Sequence, residues 1–348
     1  MLIRLAMELP LQTSTIGDIS MLFAPEGFKV LVHHQLEEKI LLGKAGKCRY
    51  CGKVEGEVTF KKIAHALPEL IGNKYLFSLD ECDGCNVAFD KELENNLANF
   101  LGIARTTTGV VAKNGVPAHK TQNGERLEKI GKNHLSIELR DSEFVAIDKN
   151  RNILSFNSQK STYVPLQVYK CFVKMALAVL PEADLKNYQQ CFDWVRFNKL
   201  PGKFNKSALK ISETFVPGEN PIPNIWIALF KRTGDKKKNP NLICAIAFRN
   251  FLFYFNVPFG AKDKLLDYEK MEEHQIPRMY FLPGQMGKSS TRQIDLSRST
   301  AVKEQDVAYM QLSETTEETT GEISLKDLPE DIRKRIEKMG LSFALENK

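Results

Sequence analysis

Two C-x-x-C pairs, Cys48/Cys51 and Cys82/Cys85, constrain this chain more than any other feature. Two such knuckles supply four thiolates, the set that closes a tetrahedral zinc shell and holds rigid a segment with little core of its own. The cysteine count, seven, is odd, and Cys171, Cys191 and Cys244 lie in apolar runs, so a disulfide framework fits poorly. The paired cysteines are therefore read as metal ligands and the other three as core.

A chain of 348 residues is long enough for two domains with separate cores. Apolar content of 43% and charged content of 26% are those of a soluble globular protein. The start, Met1 to Pro10, is interrupted by Arg4, Glu8 and Pro10, which is neither a signal peptide nor an anchor. No run approaches a membrane-spanning length without charge, so the expected address is the cytoplasm with no membrane partner. The net charge of +6 permits a phosphate-bearing partner without arguing for one.

Four segments are expected. Residues 1–45 read as a strand and loop leading into a helix near 34–42, where Leu36, Ile40 and Leu41 sit at helical spacing. The zinc module occupies 46–105. In it, Glu57-Val58-Thr59-Phe60 and Leu76-Phe77-Ser78-Leu79 are strand candidates, and the apolar stripe Phe89, Leu93, Leu97, Phe100 marks a helix that Gly102 ends. Residues 106–303 read as an α+β C-terminal domain. Alternating strands around Leu135, Ile137 and Leu139 and a hairpin across 143–156 come first. Two helices separated by Pro181 follow, and then apolar strands at 225–230, 242–248 and 251–255. Residues 304–348 read as an acidic linker, with no basic residue from 304 to 325, and a short helix over 329–338. The fold class is thus α+β.

In chain order the motifs C-x-x-C, A-H-x-x-P-E, G-N-K and D-E-C-x-x-C-N resemble the HNH endonucleases of ββα-metal fold, in the subgroup with two zinc knuckles. That subgroup is found in bacterial proteins, some of them linked to phage defence. The resemblance covers about 46–105. It implies a metal-dependent nuclease acting on nucleic acid, with DNA the expected form. His65 matches the general base, Asn73 the middle asparagine, and Asn86 the ligand of a catalytic Mg²⁺ or Mn²⁺. Cys48, Cys51, Cys82 and Cys85 match the ligands of a structural Zn²⁺. The C-terminal domain would supply DNA contacts, sensing, or dimerisation into a homodimer.

One position departs from the family pattern. Many HNH sites carry a carboxylate or histidine just before the base, and here that residue is Ala64. Asp90, one helical turn after Asn86, is the best replacement ligand by geometry. Glu69, Asp80 and Glu81 are others, and Glu94 is two turns along the helix. Competing readings stand beside these: Asn86 as a plain helix N-cap, and the whole module as a zinc-knuckle protein that binds nucleic acid or a partner without cleaving. His33, His34, His119, His134 and His274 receive no role. The stretch Gly284 to Ser289 lacks phosphate-loop spacing.

Overall fold

The computed structural model describes residues 3–8, 24–25, 27–130, 134–140, 143–148, 150–200, 209–218, 220–234, 239–263, 289–311, 330 and 334. They form an α+β chain of two compact units, each assembled from separated stretches. Met1–Thr13, Leu101–Thr162 and Lys303–Lys348 make the first unit, and Ser14–Phe100 with Tyr163–Val302 the second. The seams expected from sequence are 45/46, 105/106 and 303/304, and the units meet along the chain at 13/14, 100/101, 162/163 and 302/303. Residues 106–162 go to one unit and 163–302 to the other, together with the cysteine module.

The first unit packs two antiparallel sheets over one core. Strands Ile3–Glu8, His134–Leu139, Arg126–Ile130 and His119–Lys120 lie in that order, and Gln305–Gln311, Ile153–Gln159 and Val145–Asp148 form the second sheet. The predicted alternation holds: Leu135, Ile137 and Leu139 face inward and meet Leu127, Phe144, Leu154 and Phe156. Residues 305–311, expected within the acidic linker, instead pair with Ile153–Gln159. Their alternation is short and sits at the edge of a Thr/Glu-rich run, which masked it. Residues 312–329 lie outside the described residues, as does the terminal helix apart from Glu330 and Lys334.

In the second unit a six-stranded antiparallel sheet runs Ser290–Asp295, Lys210–Phe215, Phe251–Asn256, Leu242–Arg249, Ile222–Arg232, Phe28–Gln35. The apolar runs expected as buried strands are its centre. The helix expected over 34–42 is absent. Phe28–Gln35 is the edge strand, and Ile40–Leu42 pairs in parallel with Leu76–Ser78. Leu36, Ile40 and Leu41 were at helical spacing by coincidence, and long-range pairing overrode it.

The helix Pro165–Ala178 lies between this sheet and the cysteine module. Pro165 occupies its first turn, where a missing N–H costs nothing. Twelve of its fourteen residues are buried, as expected for a helix covered on every side. Towards the sheet, Phe172 meets Phe253 at 4.8 Å and Phe255 at 5.4 Å, while the Tyr169 hydroxyl donates to the Asn256 carbonyl at 2.8 Å. Towards the module, Arg49 reaches the C-terminal end of the helix and donates to the carbonyls of Leu177 (2.8 Å) and Ala178 (2.7 Å) while pairing with Asp80 at 2.7 Å. A guanidinium there satisfies carbonyls that the helix leaves open and complements its dipole. Gly43, at φ +72°, lies against Asp80 so closely that a Cβ would fall 2.2 Å from that carboxylate. Among the described residues no helix is long and apolar enough to cross a membrane.

Both tryptophans, Trp194 and Trp226, belong to the second unit, so their fluorescence reports on it. Arg49→Met takes the ion partner from Asp80, leaving it the Ser78 hydroxyl, and takes the side-chain donor from the helix carbonyls, and is expected to cost about 3 kcal/mol. The denaturant midpoint of tryptophan fluorescence measures this, and a loss under about 1 kcal/mol would show the contact to be dispensable.

Candidate functional site

The four cysteine sulfurs lie within 4.8 Å of one another. Cys48 and Cys85 are 3.7 Å apart and Cys51 and Cys82 3.8 Å. A zinc–sulfur bond of about 2.3 Å places tetrahedral sulfurs about 3.8 Å apart, so the donor set fits Zn²⁺ in type, number and spacing. The first knuckle is a tight turn in which Gly52 N–H donates to the Cys48 carbonyl at 2.9 Å. The second forms a helix start, with Cys82 as N-cap of Asp83–Phe89. The thiols do not share protons evenly. The Cys48–Cys85 hydrogen bond draws Cys48 down to about 4 and pushes Cys85 well up, with burial adding to the rise, and burial lifts Cys82 to about 11. A divalent cation is what would let all four ionise together. Outside the cluster, Arg196 donates to the Cys85 sulfur at 3.1 Å and anchors the knuckle to the helix Gln189–Phe197.

The first strand of the module is shorter and later than predicted. Residues 57–60 hold only an isolated bridge at Val58, and the strand is Ala64–His65, antiparallel to Leu76–Ser78. The Asp83 carboxylate explains this. It accepts from the N–H groups of Lys61 and Lys62, both at 3.0 Å, and from the Thr59 hydroxyl, which bends the segment onto the helix N-terminus. The hydrogen bonds from Thr59 and Lys62 hold its carboxyl below the usual range.

His65 stands half-buried at the rim of this hairpin, its ring 4.8 Å from that of Phe77. Burial lowers its pKa from 6.5; Glu69 opposes the shift and Lys174 adds to it. Asn73 is fully buried and makes four hydrogen bonds. Its amide donates to the carbonyls of Leu67 (2.7 Å) and Leu76 (2.8 Å), and its oxygen accepts from Tyr75 and Leu76 N–H. It therefore closes the hairpin behind the histidine. Cys82 is the N-cap, so Asn86 lies a turn inside the helix and the capping reading is set aside. Among the described residues nothing hydrogen-bonds its half-buried carboxamide.

Asp90 does follow Asn86 by one turn, its N–H bonding the Asn86 carbonyl, and its side chain is exposed. It also opens a π-helical turn, Asp90–Glu94, that interrupts the expected continuous helix before Asn95–Leu101. Such turns shift the phase of the residues beyond them, and Phe89, Leu93, Leu97 and Phe100 are nevertheless all buried. Among the described residues the four cysteines are the one group of three or more acidic, histidine or cysteine side chains close enough to share an ion. A second cation would rest on oxygen from Asn86 and Asp90, a donor type that suits Mg²⁺.

Sequence reasoning missed Lys174. Its apolar neighbours Cys171, Phe172 and Met175 made this stretch read as plain core, although a lysine in such a stripe is itself a signal. Its ammonium is 1% exposed, pairs with Glu81 at 3.1 Å, donates to the His65 carbonyl at 2.9 Å and lies 5.7 Å over the Phe89 ring. Burial pushes the Glu81 carboxyl up to about 7 against the pull of Lys174. Glu81, weighed from sequence as a cation ligand, is thus engaged from beneath. The module also has more core than its sequence suggested, because Tyr50 packs against Phe89 and Phe192 and donates to the Lys174 carbonyl at 3.1 Å.

Residues 48–101 match the family model of the HNH endonucleases. No curated protein and no solved structure matches the chain.

Two outcomes are expected. Purified protein should carry one zinc per chain, absent after Cys48→Ser with Cys82→Ser, as metal analysis would show; because Tyr50 and Phe89 anchor the module independently, chelation should raise hydrogen exchange chiefly around 46–62. Lys174→Met should destabilise the second unit by about 3 kcal/mol or more, by stranding a buried carboxylate, and adding Glu81→Leu should recover most of that loss. Equal instability of the single and double variants would show that the pair is not coupled.

Proposed function

We propose that the HNH endonuclease module hydrolyses phosphodiester bonds in DNA, with His65 as the base that takes a proton from the attacking water. The observation that carries this reading is the placement of His65. The imidazole is half exposed at the rim, burial favours its neutral form, and its backbone is held on one side by Phe77 across the hairpin and on the other by the Lys174 ammonium. A base must be neutral and fixed to act, and this arrangement provides both. Asn73 positions the hairpin. Asn86 and Asp90 would offer oxygens to Mg²⁺ or Mn²⁺, which when bound supplies charge to a scissile phosphate. Zn²⁺ in the four cysteines would be structural. The module would work in the cytoplasm, on its own or in a homodimer, and cleavage of invading DNA gives it a place in defence against phage.

A second reading, a zinc-knuckle protein that binds without cleaving, draws on Ala64. That residue is 1% exposed, and strand alternation turns it to the face opposite His65. Restoring a carboxylate there would bury it away from the histidine, so the missing family ligand is not recovered by Ala64→Asp.

Plasmid nicking with Mg²⁺ or Mn²⁺ separates the two. His65→Ala should lose at least about 100-fold in rate while keeping its zinc, and Asn86→Ala should need more cation for half-maximal rate. Because the folded pKa of His65 lies below 6.5, the rate should hold through neutral pH and fall only as pH drops through that lowered value. A parent protein that binds DNA yet nicks it with no divalent cation would hand the assignment to the second reading.

A further inference from the structure

The first unit holds a cavity of about 370 Å³ that the nuclease reading leaves unused. It is walled by the turn after His119–Lys120 and by the strand Ile153–Gln159. Glu125, in this wall, is 1% exposed. One of its oxygens accepts from the Thr121 hydroxyl, and the other, Oε1, has no hydrogen-bond partner among the described residues. The turn around it is fixed by Thr121 N–H to the Glu125 carbonyl at 3.0 Å and Glu125 N–H to the Thr121 hydroxyl at 3.1 Å. A buried acceptor left open costs stability, and a ligand N–H that fills it recovers that cost.

The rest of the lining narrows what the ligand is. Gln122, Asn123, Asn157, Gln159 and Gln305 present carboxamides, each with a donor and an acceptor, and among the described residues no lysine or arginine lines the cavity. A phosphate is unwelcome beside two carboxylates, Glu125 and Glu143, with no cationic side chain among the described lining residues to hold it. A neutral, flat group with donors and acceptors in fixed order fits, and that is the edge of a nucleobase. Phe144 closes one side, with His119 stacked on it at 6.3 Å and 12° and tied to Ser158 by a 2.8 Å hydrogen bond.

We propose that this cavity takes a single nucleobase out of the stack and reads it by an amino edge donated to Glu125, as cytosine, adenine and guanine offer. Thymine is refused, because its one N–H is flanked by carbonyls that a carboxylate repels. The inference rests on the nuclease reading only for the class of ligand. It makes the first unit the part that chooses where a strand is engaged, at the cost of unstacking one base.

The test is binding, kept apart from cleavage. Fluorescein-labelled thymidine dodecamers with one central C, A, G or T are titrated, by anisotropy and without added divalent cation, against full-length protein carrying His65→Ala. At least one amino-bearing central base should bind about tenfold tighter than thymine, and Glu125→Gln should bring the ratio below about threefold. Asn157→Trp, at an exposed position on the rim, should fill the mouth and do the same in a protein whose fold is not at issue. Equal affinity for all four oligonucleotides, or a preference that survives both substitutions, overturns the proposal. So does displacement of the cytosine oligonucleotide by N-acetyl-lysine methylamide, whose ammonium would then be the donor Glu125 takes. Parent protein that nicks plasmid while its His65→Ala form shows no base preference sinks this inference alone. Absence of both nicking and binding sinks the nuclease reading with it.

Discussion

A buried ammonium group cannot be left to find its own partners. Lys174 is enclosed on a helix covered on all sides, and its charge is tolerable only because Glu81, the His65 carbonyl and the Phe89 face are brought to it. Those three contacts belong to the second knuckle, the hairpin and the helix Asp83–Phe89 that carries Cys85. One cation therefore fixes the relative placement of all the pieces from which the candidate site is built. The zinc-fitting cysteines fix the two knuckles to each other, and Arg49 and Arg196 bolt each knuckle to a different helix of the second unit.

What the sequence disclosed and what it hid divide along physical lines. The cysteine cluster was legible because a metal shell imposes both residue type and spacing. The helix stripe from Phe89 to Phe100 and the apolar strands from 225 to 255 were legible because burial on one face, or on both, leaves a local period. The edge strand Phe28–Gln35 was not, since what makes it a strand is Ile222–Arg232, nearly two hundred residues later. The strand Gln305–Gln311 failed for the same reason, its partner being Ile153–Gln159. Lys174 was hidden by its company: an apolar stripe reads as core, and the pattern does not say which buried position is charged or what balances it.

The site residues show a similar split. The position of Asn73 in its motif was readable, and its four hydrogen bonds give that position a mechanical meaning. The seat of Asn86 inside a helix rather than at its cap depended on where the backbone first turns, which Cys82 decides. The burial of Ala64 beside an exposed-edge histidine follows from a strand only two residues long, and 57–60 had looked the better strand by composition.

The interleaving of the two units has a consequence in time. A ribosome delivers the chain from its N-terminus. All four cysteines emerge early, so the cysteine cluster can assemble while the helix Pro165–Ala178 is still unmade. Residues 101–162, which belong to the other unit, must pass before Lys174 appears and grips the hairpin. A nascent chain would thus hold all four cysteines well before it holds a positioned histidine. The grip on the hairpin is deferred to the middle of the 348-residue chain, at a point where the strand on which Phe172 packs and the helix that carries Arg196 are still to be made.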